Sequence, residues 1–583
     1  MTRIAVVDKP KCVNGAQCPF LCAQVCPVNR TGKECIVLGS DNKPIIDESL
    51  CIGCGICPNR CPVECIDIIN LPEELSREPI NRYGRNGFHL YNLPIPIFGK
   101  VVGVIGRNGI GKSTALKILA GVMKPNLGRE KEATYKELIE YFKGTEAQLF
   151  FENVKSGKIK VGYKPQNVDL IPKTTKGKVK TLLKKVDEKK EFDKIVELLE
   201  LENILDNDIS KISGGELQRV AIAATVLKKA NFYIFDEPTS YLDIKQRIKV
   251  SKFIKNLADE NTAVLIVEHD LIILDYMTDL IHLMYGKEGT YGIVSLPKTT
   301  RVGINIYLSG YLKEENIRFR DKEIKFLKGV IEKTKKEPLL ISWKNINKKL
   351  GKFQLTAVEG KIDKHDVIGV LGENGIGKTS FVKILAGVDK TDKGVLDQEI
   401  KVAYKPQYLE PSDELVMISL QRAIQKYSSL IMNPLNIKPL LHKKLSELSG
   451  GELQKVAVAH CLSQDADLML LDEPSAYLDV EQRLIVSRVI KNVMEQRGTA
   501  CLVVDHDLLF IDYLSKKLMV FEGKPAINGD AQGPFLMEEG MNKFLKEINI
   551  TYRRDEQSNR PRVNKEDSQK DKQQKSKGKY YYL

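Results

Sequence analysis

One seven-residue stretch occurs twice, as Ile212-Ser-Gly-Gly-Glu-Leu-Gln218 and as Leu448-Ser-Gly-Gly-Glu-Leu-Gln454. Each copy lies between a glycine-rich phosphate loop upstream and a strand ending in two acids downstream, so the chain must fold as a duplicated phosphate-binding α/β unit. A serine and two glycines that open an apolar helical pattern (Leu217, Val220, Ala221, Ala224) describe a helix N-terminus with bare N–H groups. Such an end attracts anions, because its first donors are unpaired and the helix dipole is positive there. A unit with a complete phosphate loop of its own does not need a second anion site. Each copy therefore reads as serving the nucleotide held by the other half: Ser213, Gly215 and Glu216 reach across one way, and Ser449, Gly451 and Glu452 the other. The implied molecule is a monomeric two-site clamp whose halves pair within one chain.

The first phosphate loop, Gly106-Arg-Asn-Gly-Ile-Gly-Lys-Ser-Thr114, follows the apolar strand Val101–Ile105 and runs into a helical pattern. That context makes the motif a P-loop. Asn108, Gly109, Gly111 and Thr114 form the cradle, Lys112 reaches the β/γ oxygens, and the Ser113 hydroxyl ligates Mg²⁺. Gln166 and Asp236 complete the magnesium shell, Glu237 is the candidate general base, and His269 is placed to orient the attacking water. The second half repeats the series. Asn374, Gly375, Gly377, Lys378, Thr379 and Ser380 form its loop; Gln407, Asp472, Glu473 and His506 complete the site. The two loop lysines are 266 residues apart and the two glutamines 241, so the first half carries 25 extra residues around 130–158, where two short helices are expected.

Ten of the 12 cysteines precede residue 66. Cys51-x-x-Cys54-x-x-Cys57-x-x-x-Cys61-Pro62 has the bacterial-ferredoxin spacing, in which three thiolates cap one cube and the fourth reaches another. The looser run Cys12, Cys18, Cys22, Cys26 also ends in Cys-Pro. The crossover rule assigns Cys26, Cys51, Cys54 and Cys57 to one 4Fe-4S cluster and Cys12, Cys18, Cys22 and Cys61 to the other. Zinc knuckles are the alternative. Cys35 and Cys65 exceed the ligand count and are expected not to ligate; Cys461 and Cys501 are expected in the core. The formal charge of +14 suits either an ordinary solvated surface or a polyanionic partner such as RNA. No apolar run approaches the roughly 20 residues of a membrane helix. The N-terminal stretch lacks a signal-peptide core, and the expected location is cytoplasmic.

The two cassettes resemble the tandem nucleotide-binding domains of the ATP-binding-cassette superfamily. With its cysteine-rich start, residues 1–565 resemble the iron–sulfur ribosome-recycling ATPases of archaea and eukaryotes, also called the RNase L inhibitor family. The resemblance implies an α/β chain with a ferredoxin-like α+β domain over 1–75. A first ABC domain follows over 76–300, its insertion a helix–loop–helix. A hinge at 301–320, a second ABC domain over 321–540 and a second hinge at 541–565 complete it. The polar tail, 566–583, is expected to be disordered. The resemblance further implies that Tyr83 and Phe88 stack on adenine in the first site and Phe353 in the second, although these aromatics also suit a core. It implies ATP hydrolysis that splits ribosomes after termination or rescue. The partners would be the ribosome, its small subunit and rRNA especially, and a release or rescue factor. The acidic strand ends read Asp-Glu-Pro-Thr-Ser and Asp-Glu-Pro-Ser-Ala, where the family usually carries two serines.

A transporter ATPase has no use for the cysteine-rich start. A chromosome ATPase needs a long coiled coil for which the 100 residues between Lys112 and Ser213 leave no room. An electron carrier needs a receiving site that the sequence does not offer.

Overall fold

The run Val101–Ile105 is apolar at every position except one glycine, and it forms a fully buried strand inside a nine-stranded sheet. Burial on both faces explains the continuous apolar pattern, since parallel strands in α/β layers expose neither side. The structure is a computed structural model that describes residues 3–13, 18–70, 78–320, 323–326, 338–385, 387, 389–396, 400–407 and 412–582. Boundaries expected at 75/76 and 320/321 involve residues outside that set.

In the first lobe the parallel strands run in the order Leu280–Lys287, Val101–Ile105, Ala263–Val267, Phe232–Asp236, Val161–Lys164. The second lobe repeats this order with Lys517–Lys524, Val367–Leu371, Ala500–Val504, Leu468–Asp472 and Val402–Lys405. The phosphate loops, acidic pairs and histidines therefore all leave the same carboxyl edge of each sheet. Ligands of open α/β sheets bind at that edge.

The insertion forms two helices, Tyr135–Tyr141 and Glu146–Lys155. Thr134 and Glu137 make a reciprocal capping box at the first. Phe150 packs edge-on against Phe232 of the central sheet, and Phe142 stacks on Phe151. The pair is thus rooted in the lobe's core.

Each lobe ends in a helix and a two-stranded hairpin: Thr300–Ser309 with Tyr311–Leu312 and Ile317–Arg318, then Met537–Glu547 with Tyr552–Arg554 and Pro561–Val563. These are the two stretches expected as hinges. The second hairpin grips the first lobe: Arg562 makes two bonds to Asp275, at 2.6 and 2.9 Å, and Arg301 donates to Asp555 at 3.0 Å.

The tail departs from the expected disorder. Gln569–Ser576 is helical, with Ser568 as its N-cap. Composition alone offers it no core, but the neighbouring hairpin does. Asp571 accepts from Thr551 at 2.5 Å, and Gln574 donates to the Tyr552 carbonyl at 2.8 Å. Tyr581 is buried against Asp512 and Arg554. No helix among the described residues is long and apolar enough to cross a membrane.

Candidate nucleotide sites between the two lobes

A cavity of about 920 Å³ opens between the lobes. From the first lobe it is lined by Asn108, Gly109, Gly111, Lys112, Ser113, Thr114, Gln166, Asp236, Glu237 and His269, with Tyr83 and Phe88 at one end. Ser449, Gly450, Gly451 and Glu452 of the second lobe face them. Ser449 caps its own helix by accepting from the Glu452 amide, in a box closed by the Glu452 carboxylate.

Gly109 and Gly111 carry φ of 72° and 90°, as do Gly375 and Gly377 at 74° and 91°. These left-handed turns need glycine. A Cβ on Gly111 would also lie 2.7 Å from the Phe88 ring, and one on Gly377 would lie 2.9 Å from Phe353. The two phenylalanines thus occupy equivalent places beneath their loops, while Tyr83 bonds Thr114 at 3.0 Å. Lys112 donates to the Gly106 and Arg107 carbonyls, and Lys378 to that of Gly372. Burial lowers both lysines, Lys378 to about 8. A triphosphate would give each of these ammonium groups a directly bonded anion.

Both carboxylate oxygens of Asp236 are buried without a donor. Burial, and then the adjacent Glu237 charge, push this carboxyl up to about 6. A carboxylate this dry, with only the Ser113 hydroxyl beside it, is costly, and its oxygens fit a hard, oxygen-seeking cation. In the second site Thr379 donates to Asp472 at 3.0 Å. Glu237 and Glu473 both sit at φ 47°, a strained conformation for a side-chain-bearing residue. Gln166 donates to Glu237 at 2.6 Å and Gln407 to Glu473 at 2.7 Å. The His269 and His506 Nε2 atoms stand 3.4 and 3.7 Å from those carboxylates. His506 is held well below the usual histidine range by burial and by Lys378.

The lobes interlock reciprocally. The Asn108 amide donates to Asp479 at 3.0 Å, and the Asn374 amide donates to Asp243 at 3.2 Å. Arg107 pairs with Glu481, and Lys245 with Glu373. Ser213 caps its own helix through the Glu216 amide, Gly214 and Gly215 pack on Tyr241, and none of these four is among the residues that line this cavity.

A family model described as ABC transporter matches residues 97–240 and 355–476. An uncharacterized ABC transporter ATP-binding protein of Methanocaldococcus jannaschii is 52% identical, spanning 100% of this chain and 98% of that one. The solved structure titled as a model of ribosome-bound archaeal Pelota and ABCE1 contains a chain that superposes with a TM-score of 0.95. That chain is 52% identical, and the match covers 100% of this chain and 99% of that one. An archaeal ribosome recycling factor, crystallised with the stalk protein aP1, gives 0.83 at 51% identity over 88% of this chain and 100% of that one. The chain belongs to the ABCE1, or RNase L inhibitor, family. It is an ABC-type ATPase.

Three features of this ABCE1-family chain escape motif reading. Lys164 is fully buried and donates to the Asp236 and Glu237 carbonyls, at 2.9 and 3.2 Å; Lys405 does the same for Asp472 and Glu473. Gln218 and Gln454 donate to the same Glu237 and Glu473 carbonyls, at 2.7 and 2.6 Å. Both pairs recur in the sequence as Lys-Pro-Gln and as the last residue of the duplicated stretch, so the repeat itself was the available signal. Lys11, from the N-terminal lobe, also lines the cavity, and no sequence signal marks it.

That lobe pairs Arg3–Val7 with Ile66–Asn70. Cys12, Cys18, Cys22, Cys61 and Cys65 surround one small cavity. Cys57, pushed up to about 12 by burial, also lies within electrostatic reach of Cys51, Cys54, Cys26 and Cys22. Cys35 and Cys65 are buried, with Cys65 Sγ 3.4 Å from Cys61 Sγ. Among the described residues no three His, Cys, Asp or Glu side chains converge on a single-ion position. Cys461 and Cys501 lie in the second lobe's core. The cysteine lobe is fastened to the rim of the nucleotide cavity. Asp67 accepts from Lys287 and Thr290, which flank the cavity-lining Glu288.

Proposed function

We propose that this protein is an ATP-driven clamp that separates ribosomal subunits after termination or rescue. The observation that carries the reading is a cavity lined by both lobes, with the cysteine lobe bolted to its rim. ATP placed there touches Lys112 and the Ser449–Glu452 helix start together only when the lobes are shut, so it favours the closed state. Moving a clamp from 99% open to 99% closed needs about 5.5 kcal/mol of differential affinity. Two triphosphates, each bridged by charge-assisted hydrogen bonds, are of the right size to supply it.

In the shut state Lys112 and Lys378 hold the β/γ oxygens, while Tyr83, Phe88 and Phe353 take the adenines. Glu237 and Glu473 accept the proton of the attacking water, which His269 and His506 orient. Ser113, Gln166 and Asp236, and in the second site Thr379, Gln407 and Asp472, would hold magnesium, which would neutralise charge on the phosphate oxygens. Loss of the γ-phosphate removes the bridge between lobes and lets them part.

The two cysteine sets, Cys12, Cys18, Cys22, Cys61 and Cys26, Cys51, Cys54, Cys57, fit two 4Fe-4S clusters. Each would cross-link its loops into a rigid wedge. Clamp closure would press that wedge against the ribosome. The solved relatives support the reading: one is titled as ribosome-bound with Pelota, the other as a ribosome recycling factor. The net charge of +14 suits an rRNA contact. The proposed setting is the cytoplasm, where ribosomes are.

Gradient sedimentation of 70S or 80S particles tests it. With this protein, a release or rescue factor and ATP, free subunits should accumulate; intact couples under all conditions would sink the proposal.

A further inference from the structure

We infer that Ser240 is a positioning residue that orients the base of the first nucleotide site, and that the second site lacks its equivalent. The inference rests on the reading of Glu237 and Glu473 as the bases. The Ser240 hydroxyl donates to Glu237 Oε2 at 3.2 Å, while Gln166 holds Oε1 at 2.6 Å and His269 stands 3.4 Å from it. Both oxygens of Glu237 are therefore engaged, and rotation of the carboxylate about its terminal torsion is opposed.

The second site provides an internal comparison. Glu473 has the same φ of 47° as Glu237, and Gln407 holds its Oε1 at 2.7 Å. The turns also match, since the Ser240 amide lies 3.5 Å from the Glu237 carbonyl and the Ala476 amide 3.3 Å from that of Glu473. Residues 240 and 476 are thus equivalent positions, and both line the cavity. Ala476 presents a methyl group where Ser240 presents a donor. Terminal torsions of glutamate are broad, so a base held at one oxygen samples more orientations than a base held at both. The first site is accordingly the better prepared for attack.

Single-turnover hydrolysis at saturating ATP tests this site by site. In a Glu473→Gln background only the first site is active. There Ser240→Ala should slow the step about three- to tenfold, the scale of one hydrogen bond, with the half-saturating ATP concentration unchanged. Ser240→Thr, which keeps the hydroxyl, should restore the rate. In a Glu237→Gln background Ala476→Ser should accelerate the second site by a similar factor, a gain that a packing role would not produce. Unchanged rates for both Ser240→Ala and Ala476→Ser would overturn the inference. Continued hydrolysis by the Glu237→Gln, Glu473→Gln double variant would instead overturn the assignment of the bases.

Discussion

The backbone amide of Asn108 donates to Asp479 of the opposite lobe at 3.0 Å, and the other oxygen of that carboxylate caps its own helix through the Gln482 amide at 2.9 Å. Asp243 does the same in mirror image, with Asn374 and Gln246. One carboxylate thus ties a helix start in one lobe to the phosphate loop of the other. Closing the lobes and shaping the loops are for this reason a single event.

Asp479→Ala should weaken ATP-driven closure. It removes a bond to a charged acceptor, on the order of 1.5–3 kcal/mol, so the ATP concentration that half-closes the clamp should rise about tenfold or more. Interlobe fluorescence energy transfer measures it. An unaltered midpoint would show that the contact does not report closure.

Glu237→Gln and Glu473→Gln should each abolish turnover at their own site, by about 100-fold or more if the base role holds. Both should prolong the ATP-loaded closed form, seen as occluded radiolabelled ATP after gel filtration. Normal turnover in both variants would remove these residues from the mechanism.

Lys164→Met should remove the buried ammonium from the Asp236 carbonyl and leave the Glu237 carbonyl to Gln218 alone. Buried unpaired carbonyls cost about 1–3 kcal/mol each. Thermal unfolding should move down, and first-site hydrolysis should fall as the left-handed Glu237 loses its anchor. A variant with unchanged melting would mean that other bonds suffice.

Cysteine variants separate the crossed pairing from a sequential one. An anaerobic preparation should carry about eight irons and eight sulfides per chain. Cys61→Ser should lower iron by about half and leave the set at Cys26, Cys51, Cys54 and Cys57 loaded. Zinc in place of iron by metal analysis would refute the cluster reading.

Tyr581→Ala should destabilise the second lobe by about 3 kcal/mol, the usual cost of emptying a buried aromatic site, because its ring is buried and its hydroxyl meets Asp512 and Arg554. Chemical denaturation followed by tyrosine fluorescence measures this. Full stability after truncation at 565 would return the tail to the disorder its composition predicts.

The order of phosphate loop, glutamine, Ser-Gly-Gly-Glu stretch, acidic pair and histidine was legible twice over in the sequence. Each element is a local pattern of strand, turn and helix start whose chemistry depends on neighbours within a few residues. The duplication even implied a reciprocal pairing, since two anion sites per half exceed what one nucleotide uses. The two helices of the insertion were legible for the same reason, through their apolar spacing.

The tertiary structure decided what depends on residues far apart in the chain. Only the packed sheets show that Lys164 and Lys405 sit beneath the acidic turns, because a lysine in Lys-Pro-Gln looks solvated until a carbonyl 72 residues away covers it. Only the assembled hairpin gives the polar tail a surface to bury Asp571, Gln574 and Tyr581. One local contact also needed the folded turn: Ser240 bonds Glu237, only three residues back, where Ala476 cannot bond Glu473. Local propensity writes the elements, but burial and long-range hydrogen bonds exist only once distant segments meet, and those contacts set which side chains are held and which are free.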